Sequence, residues 1–264
     1  MINNAIEIDS IKHKKEFSIC TLVTNIDEYK EMIESFKKAG FDDSNCEFLY
    51  IDNSNENKYD AYAGLNKFLN IATGKYIILC HQDILLNFDN MEVLSTRIKE
   101  IDEIDPNWAI LANAGYKDFN NIALRITDPW GTNRNIGTFP SKVNSIDENF
   151  ILVKNDANLT LSNDIGGFHL YGTDLVVIAD ILGYTSYVID FHLYHKSGGN
   201  ANESFYKNKQ RFIKKYTKVT RSKFIRTPVT MLIITSFNFL NYICNKKLCY
   251  SAKKRWDKIL EFIK

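Results

Sequence analysis

Short apolar runs alternate with amphipathic segments through residues 17–112, and this alternation constrains the fold more than any other feature of the sequence. The runs are rich in β-branched residues, as buried strands are, and the segments between them carry apolar residues at helical spacing. In chain order they are Phe17–Val23, Asp27–Lys38, Phe48–Ile51, Tyr59–Ala72, Tyr76–Cys80, Met91–Ile104 and Trp108–Ala112. This β-α-β-α-β-α-β order predicts an α/β fold with a mostly parallel sheet and helices on both faces.

The remainder of the chain is less regular. Residues 115–141 are polar and rich in Asn, Asp, Gly and Pro, which predicts a long functional loop. Beyond it the pattern indicates a hairpin from Val143–Ile146 and Phe150–Val153, helices over Asp174–Leu182 and Ser204–Tyr216, and a strand over Tyr187–Phe191. Residues from Pro228 onward predict one or two amphipathic helices. We therefore expect one domain over residues 1–220 and a C-terminal helical extension over residues 221–264.

Composition limits the possible partners. The chain has 33 Lys and Arg against 32 Asp and Glu, a net charge of +1, so nothing favours nucleic acid as the main partner. Basic residues greatly outnumber acidic ones over residues 207–264. Such a tail could rest on an anionic surface, or it could be an ordinary solvated helix face.

Several features predict a cytoplasmic protein. The five cysteines include no C-x-x-C pair, and their odd number fits reduced, mostly buried thiols better than a disulfide framework. The N-terminal segment has no apolar core of a signal peptide. The longest apolar stretch, Val229–Leu240, is shorter than the roughly 20 residues that span a bilayer.

Polar residues follow three of the predicted strands directly. They are Thr24 and Asn25, then Asp52, Asn53 and Ser54, then His81, Gln82 and Asp83. Ligands of open parallel sheets bind beyond the carboxyl ends of the strands, so these residues predict a site for a ligand rich in hydroxyl and phosphate groups. Asp52 could accept hydrogen bonds from a base or ribose, and Asp83 could hold a divalent cation that bridges to a diphosphate.

The segment Phe17–Leu86 resembles the nucleotide-binding half of family 2-type GT-A glycosyltransferases. The resemblance lies in four motifs in the family's order: Asp52-Asn53-Ser54, Gly64-Leu65-Asn66, Ala72-Thr73-Gly74-Lys75-Tyr76-Ile77 and His81-Gln82-Asp83. The last motif departs from the family's Asp-x-Asp pattern, because His81 replaces the first Asp. The resemblance implies a Rossmann-like GT-A domain with a nucleotide-sugar half over residues 16–112 and an acceptor half over residues 113–220.

The resemblance also implies roles for individual residues. The donor nucleotide sugar would contact Thr24, Asn25, Asp52, Asn53, Ser54, Asn66, Gln82 and Asp83. Asp83 would hold Mn²⁺ or Mg²⁺, with His81 as a neighbour of the metal. His195 would complete the metal shell, and His192 is the competing candidate. Asp174 would be the base that deprotonates the acceptor hydroxyl in an inverting reaction, with an ordinary helix cap as the alternative.

The acceptor half supplies further candidates. Trp130, Arg134, His169 and Tyr171 are expected to contact the acceptor or to belong to a mobile lid over residues 125–134. The aromatic residues among them could stack on sugar rings, although core packing is the common fate of such side chains.

The predicted function is transfer of a sugar, with UDP as the expected carrier, to a hydroxyl of a glycan or lipid-linked saccharide. We expect a role in bacterial surface polysaccharide or lipooligosaccharide synthesis, with the tail as a possible peripheral contact to the inner membrane. The alternatives are a nucleotidyltransferase and a non-catalytic sugar-nucleotide binder. Thr21–Asn25 lacks the glycine-rich, basic loop that a nucleotidyltransferase would need. Walker, G-x-G-x-x-G and G-x-S-x-G motifs are absent from the sequence.

Overall fold

The strands and helices predicted for residues 17–112 are all present in the computed structural model, which describes residues 13–199, 202–228 and 230–246. The described helices are α1 (Ile26–Lys38), α2 (Ala61–Ile71), α3 (Met91–Ile104), α4 (Tyr171–Ile181), α5 (Glu203–Thr220) and α6 (Asn238–Cys244). The strands are β1 (Lys15–Val23), β2 (Cys46–Asp52), β3 (Gly74–Cys80), β4 (Ile84–Leu85), β5 (Trp108–Ala112), β6 (Ala114–Tyr116), β7 (Ile122–Asp128), β8 (Gly131–Ile136), β9 (Ser141–Lys142), β10 (Ser145–Ile146), β11 (Phe150–Lys154), β12 (Thr185–Val188), β13 (Leu193–His195), β14 (Lys223–Arg226) and β15 (Met231–Ile234).

The first three helices begin where a side chain satisfies a free backbone N–H. Asn25 accepts hydrogen bonds from the N–H groups of Asp27 and Glu28, and Asp60 and Asn90 cap α2 and α3 in the same way. Cys80, the last residue of β3, is buried, as are Phe17 and Trp108 in β1 and β5. The cap at Asn25 begins α1 shortly after β1 ends at Val23, and the buried Cys80 is the last residue of β3 before a polar loop.

The central sheet has seven strands in the order β2-β1-β3-β11-β5-β12-β9. Strand β1 pairs in parallel with β2 and β3, and β12 pairs in parallel with β5, as predicted. Strands β2, β1, β3, β5 and β12 run in the same direction, as expected of a mostly parallel sheet, but β11 lies between β3 and β5 and is antiparallel to both. Phe150 to Val153 are all buried there, and burial on both faces gives antiparallel and parallel strands the same sequence pattern. The result is a mixed α/β fold with a large central sheet.

A second sheet occupies the region that the sequence predicts as a loop. Its strand order is β10-β6-β7-β13-β4, with β8 paired to β7. Residues 122–136 form the antiparallel pair β7–β8, so the prediction of an irregular loop there is wrong. The predicted hairpin of Val143–Ile146 with Phe150–Val153 is also wrong, because β10 pairs with β6 while β11 belongs to the central sheet. Short polar strands of this kind carry little periodic signal.

The pairing of β13 with β4 has the greatest consequence for function. His195 lies opposite Ile84 in this antiparallel pair, and the N–H of Lys196 donates to the carbonyl of Asp83 at 3.1 Å. Because β4 begins directly after the loop that ends β3, this pair carries residues from late in the chain to the carboxyl end of the central strand β3.

The chain divides into two compact units, residues 1–209 and 210–264, with the boundary inside α5. In the second unit, β14 and β15 form an antiparallel hairpin that precedes the short helix α6. The predicted all-helical extension is therefore wrong over residues 223–234, and its part over residues 247–264 lies outside the described residues. None of the helices within the described ranges is long and apolar enough to cross a bilayer.

Candidate functional site

Three side chains converge at the carboxyl end of β3. His81 and Asp83 lie in the loop between β3 and β4, and His195 is the last residue of β13. Each offers one potential metal-ligand atom, and these atoms all lie within 4.8 Å of one another. Among the described residues this is the group of His, Cys, Asp and Glu whose geometry suits a metal ion.

The three ligand atoms are nearly in contact. His195 Nε2 lies 3.3 Å from His81 Nδ1 and 3.4 Å from Asp83 Oδ1. Asp83 and His195 are buried, while His81 is half-buried. Asp83 and His195, the two metal ligands predicted from the sequence, lie together in the structure. It adds His81, which the sequence analysis treats as a neighbour.

Tyr171 orients the ring of His81. The Tyr171 hydroxyl lies 2.9 Å from His81 Nε2 and 3.3 Å from the backbone carbonyl of Glu148. Glu148 in turn accepts a hydrogen bond at Oε1 from the N–H of Gly172, in the first turn of α4. The first turn of α4 is therefore connected to the metal-binding group through Tyr171.

The pKa shifts of Asp83 and His81 favour the protonation states in which these side chains can bind a metal ion. Burial would raise the pKa of Asp83, but hydrogen bonds from His195 and Ser197 outweigh it and hold that pKa below its ordinary value. Burial, and then the neighbouring His195, lower the pKa of His81. An ionised carboxylate and a neutral imidazole are the forms that bind a cation.

A cavity of about 340 Å³ opens beside this group. Its wall includes the polar residues His81, Asp83 and Ser197 together with apolar side chains. The remaining lining residues are Leu22, Thr24, Asn53, Ala61, Leu65, Leu79, Cys80, Gln82, Phe168 and Tyr171. This volume lies within the range of sites for small molecules and cofactors.

Gln82 ties together the ends of β1 and β3. Its Oε1 accepts hydrogen bonds from the N–H groups of Thr24 and Asn25, at 2.7 and 2.9 Å. Its Nε2 donates to Thr24 Oγ1 and to Glu28 Oε2, at 3.0 and 3.1 Å. Gln82 and Thr24 line the cavity, whereas the side chain of Asn25 caps α1. The contacts of Gln82 hold the loops in place.

The other predicted donor residues divide between the cavity and its surroundings. Asn53 lines the cavity and donates to the carbonyl of Tyr59. Asp52 accepts hydrogen bonds from the N–H and the hydroxyl of Ser54, which closes a turn outside the lining residues. Asn66 exchanges hydrogen bonds with the backbone of Leu161 and so fastens that segment to α2.

Asp174 is not placed where the sequence analysis expects it. The residue is fully buried in α4, and its carboxylate accepts hydrogen bonds from the N–H and the hydroxyl of Ser162, both at 2.8 Å. It does not line the cavity. A base must reach the acceptor hydroxyl, so this geometry gives Asp174 a role in holding residue 162 against α4 and corrects the assignment as base. Asp174 is not the N-cap of α4 either. The helix begins at Tyr171 and its N-cap is Leu170, so Asp174 lies inside the first turn.

The four predicted acceptor residues have different surroundings in the structure. The largely exposed Trp130 lies in the turn between β7 and β8, and its indole approaches Gly198, in the segment after His195. Arg134 is ion-paired with Asp128, and His169 Nε2 lies 3.0 Å from Ser204 Oγ. Tyr171 alone among these four lines the cavity.

His192, the competitor of His195, is engaged elsewhere. Its ring stacks on Phe88 with a centroid distance of 3.8 Å, and its Nε2 lies 2.9 Å from Thr127 Oγ1. The structure therefore separates the two histidines, which the sequence alone leaves as alternatives. Ser197, which the sequence analysis missed, contacts His195 at 3.2 Å, and only its position two residues after His195 could have indicated it.

Comparison with known proteins shows a relative that resembles this chain over most of its length. A protein of Fuscovulum blasticum named "ATP synthase subunits region ORF 6" is 35% identical over 208 residues, which cover 76% of this chain and 84% of the relative. No protein-family model matches the chain.

Solved structures show more distant likenesses. TarS of S. aureus, residues 1–349 in complex with UDP, is 13% identical with a TM-score of 0.47 over 73% of this chain and 63% of TarS. A197 from STIV is 9% identical with a TM-score of 0.39 over 71% of this chain and 97% of A197. Likenesses of this degree carry no statement about activity, so the function has to be inferred from the site.

Proposed function

We propose that this chain, which belongs to the same protein family as the Fuscovulum blasticum ORF 6 protein, is a glycosyltransferase of the GT-A type. It takes a sugar from a nucleoside-diphosphate donor, with UDP as the carrier, and transfers it to a hydroxyl group. A divalent cation, Mn²⁺ or Mg²⁺, assists the reaction.

The observation that carries the proposal is the arrangement of Asp83 and His195 beside a cavity at the carboxyl end of β3. Their ligand atoms are 3.4 Å apart, and the carboxylate is held in its ionised form. Oxygen and imidazole donors at this spacing fit a divalent cation. The chemistry that a bound cation would supply is neutralisation of the charge on the leaving diphosphate.

The other residues that line the cavity have the mixture of polar and apolar groups that a nucleotide donor requires. Thr24 and Asn53 offer polar groups at the ends of β1 and β2, while Ala61, Leu65 and Phe168 offer apolar surface. A nucleoside diphosphate needs both kinds of wall, because the base and ribose are partly apolar and the phosphates are charged. We place the base against the apolar wall and the diphosphate beside Asp83.

The position of Trp130 suggests where the acceptor binds. Trp130 presents an exposed indole next to Gly198, close in sequence to the cavity-lining Ser197. We propose that Trp130, together with Arg134 and His169 of the acceptor half, contacts a glycan or lipid-linked saccharide. The inverting outcome and a place in surface polysaccharide or lipooligosaccharide synthesis are proposals that rest on the family resemblance alone.

We further propose that the second unit touches the anionic cytoplasmic face of the inner membrane, where a lipid-linked acceptor would lie. Phe224, Phe237 and Phe239 are exposed in this unit, and Lys223 and Arg226 flank the first of them. Aromatic and cationic side chains together favour an anionic interface. Flotation with vesicles of anionic lipid, but not with vesicles of neutral lipid, is the expected result. Equal recovery with both would contradict this contact.

The test of the main proposal is donor binding followed by turnover. UDP and UDP-sugars are expected to raise the melting temperature in the presence of Mn²⁺, and chelation of the metal should abolish most of this shift. Asp83→Asn should remove the metal-dependent part, while Asp156→Asn, a change to an exposed carboxylate that contacts His13, should leave it intact.

Product analysis then separates the possible activities. A glycosyltransferase releases UDP from a UDP-sugar in the presence of an acceptor, whereas a nucleotidyltransferase releases pyrophosphate from a nucleoside triphosphate. A non-catalytic binder releases neither. Absence of stabilisation by every nucleoside diphosphate tested, with and without metal, would overturn the proposal.

A further inference from the structure

We infer that His81 is a third protein ligand of this metal site, and that its two imidazoles and one carboxylate select Mn²⁺, Co²⁺ or Zn²⁺ over Mg²⁺ and Ca²⁺. The inference rests on the proposed function for the biological use of the metal, but the ligand set is a property of the chain itself. It deepens the proposal by naming the class of cation.

Two separations among the three ligand atoms match the edges of a coordination polyhedron. Two ligands that are each about 2.1 Å from one cation lie about 3.0 Å apart at an octahedral angle and about 3.4 Å apart at a tetrahedral angle. The distances from His195 Nε2 are 3.3 Å to His81 Nδ1 and 3.4 Å to Asp83 Oδ1. The third separation, between His81 and Asp83, is within 4.8 Å. Two of the three separations therefore match those expected for ligands of one ion, and both involve His195 Nε2.

The hydrogen bonds of Tyr171 fix which nitrogen of His81 faces the group. A backbone carbonyl can only accept, so the single hydroxyl proton of Tyr171 is directed to the carbonyl of Glu148. The Tyr171 oxygen then accepts the proton on His81 Nε2, 2.9 Å away. This arrangement leaves the lone pair on His81 Nδ1, the atom that faces His195. A metal-binding histidine characteristically donates its other N–H to an oxygen in this way.

The ligand types determine the preferred cation. Imidazole nitrogen suits first-row transition metals, Zn²⁺ more than Co²⁺ and Mn²⁺ least among them, whereas Mg²⁺ and Ca²⁺ prefer an all-oxygen shell. Mg²⁺ usually relies on one or two carboxylates together with the phosphates of its substrate. Three ligands from the protein should therefore hold a transition metal in the absence of nucleotide, and should hold Mg²⁺ poorly.

The experiment is calorimetric titration of the full chain with MnCl₂, CoCl₂ and MgCl₂ without nucleotide. We expect one site that binds Mn²⁺ and Co²⁺ at least tenfold more tightly than Mg²⁺. His81→Asp restores an oxygen ligand at this position, so it should reduce the Co²⁺ to Mg²⁺ preference about tenfold. His13→Gln alters a histidine that contacts Asp156, on another part of the first unit, and should leave all three affinities unchanged.

Pulsed electron paramagnetic resonance of the Mn²⁺ complex gives a readout that does not depend on a variant folding. The wild-type complex should show nitrogen couplings from two imidazoles, and the complex of His81→Asp should show one. Couplings from fewer than two imidazoles in the wild type, or equal affinities for Mn²⁺ and Mg²⁺, would overturn the inference. If metal binding is as expected while no nucleoside diphosphate binds, the proposed function fails and the ligand set stands.

Discussion

His195 Nε2 lies 3.3 Å from His81 Nδ1, although 114 residues separate the two in the sequence. Two structural features produce this proximity. The tight loop after β3 places His81 and Asp83 at the carboxyl end of a central strand, and the short antiparallel pair β13–β4 sets His195 opposite Ile84. A site that depends on a two-residue strand is sensitive to anything that shifts the register of that pair.

Tyr171→Phe tests the orientation of His81. The change keeps the buried ring but removes the oxygen that accepts from His81 Nε2. Loss of such an outer partner typically weakens metal binding by about 10–100-fold, while loss of one hydrogen bond costs about 1 kcal/mol of stability. We expect calorimetry to show weaker Mn²⁺ binding and chemical denaturation to show only this small loss of stability. Unchanged metal affinity in the folded variant would refute a positioning role for Tyr171.

Gln82→Glu tests the contact that joins β1, α1 and β3. The new carboxylate can still accept from Thr24 and Asn25, but it would lie beside Glu28, whose Oε2 is 3.1 Å from Gln82 Nε2. Two adjacent carboxylates repel each other, so urea denaturation at pH 7 should show a loss of about 1 kcal/mol or more.

The second change in this experiment is Glu28→Gln. In the double variant the amide and the carboxylate exchange places, so most of the lost stability should return. A double-mutant cycle with no coupling between positions 28 and 82 would show that this hydrogen bond contributes nothing to the loop.

The sequence predicted the first half of the fold well, for identifiable reasons. Strands β1, β3 and β5 are continuous buried runs, and α1 carries both an N-cap at Asn25 and a periodic buried face. Strand β11 is equally apolar, but a buried run does not reveal its direction, so its antiparallel insertion could not be foreseen. Strands as short as β4 and β13 contain too few residues for any periodicity.

Some residues of the candidate site can also be predicted from the sequence, while others depend on the tertiary structure. Thr24 directly follows β1, and Gln82 and Asp83 lie in the short loop after β3, so the sequence order alone marks them as candidates. The choice of His195 over His192 depends on the pairing of β13 with β4 and β7, which only the tertiary structure determines. Asp174 precedes an apolar helical pattern in the same way as a catalytic residue would, and its bonds to Ser162 are invisible in the sequence.

Glu148→Gln tests a predicted dependence of stability on pH. Burial raises the pKa of Glu148 from 4.5 to about 8, against the opposing effect of the Gly172 N–H. Between these two values the folded state binds more protons at this residue than the unfolded state does. Glu148 therefore makes the free energy of unfolding fall as pH rises through this window. The amide keeps an oxygen for Gly172 but cannot ionise.

Urea denaturation between pH 5 and pH 8 checks this sign. The stability of Glu148→Gln relative to the wild type should increase as pH rises, because only the wild type has to bury a charge. Parallel curves for the two proteins across this range would mean that Glu148 titrates normally in the folded state.

Asp174→Asn distinguishes a structural carboxylate from a catalytic one. The wild-type carboxylate is fully buried and accepts two hydrogen bonds from Ser162, one from the N–H and one from the hydroxyl. Asparagine has one acceptor oxygen, so one of the two donors loses its partner in a buried place. The expected loss is about 1–3 kcal/mol of stability, measured by chemical denaturation. Ser162→Ala removes the hydroxyl alone and should cost less.

Both variants should retain donor turnover, measured as UDP release at a temperature where they are folded, to within about tenfold of the wild type. A base would give the opposite pattern, because its removal costs typically 10²–10⁴-fold in rate with little change in stability. A folded Asp174→Asn protein of wild-type stability that has lost turnover would restore Asp174 as the base.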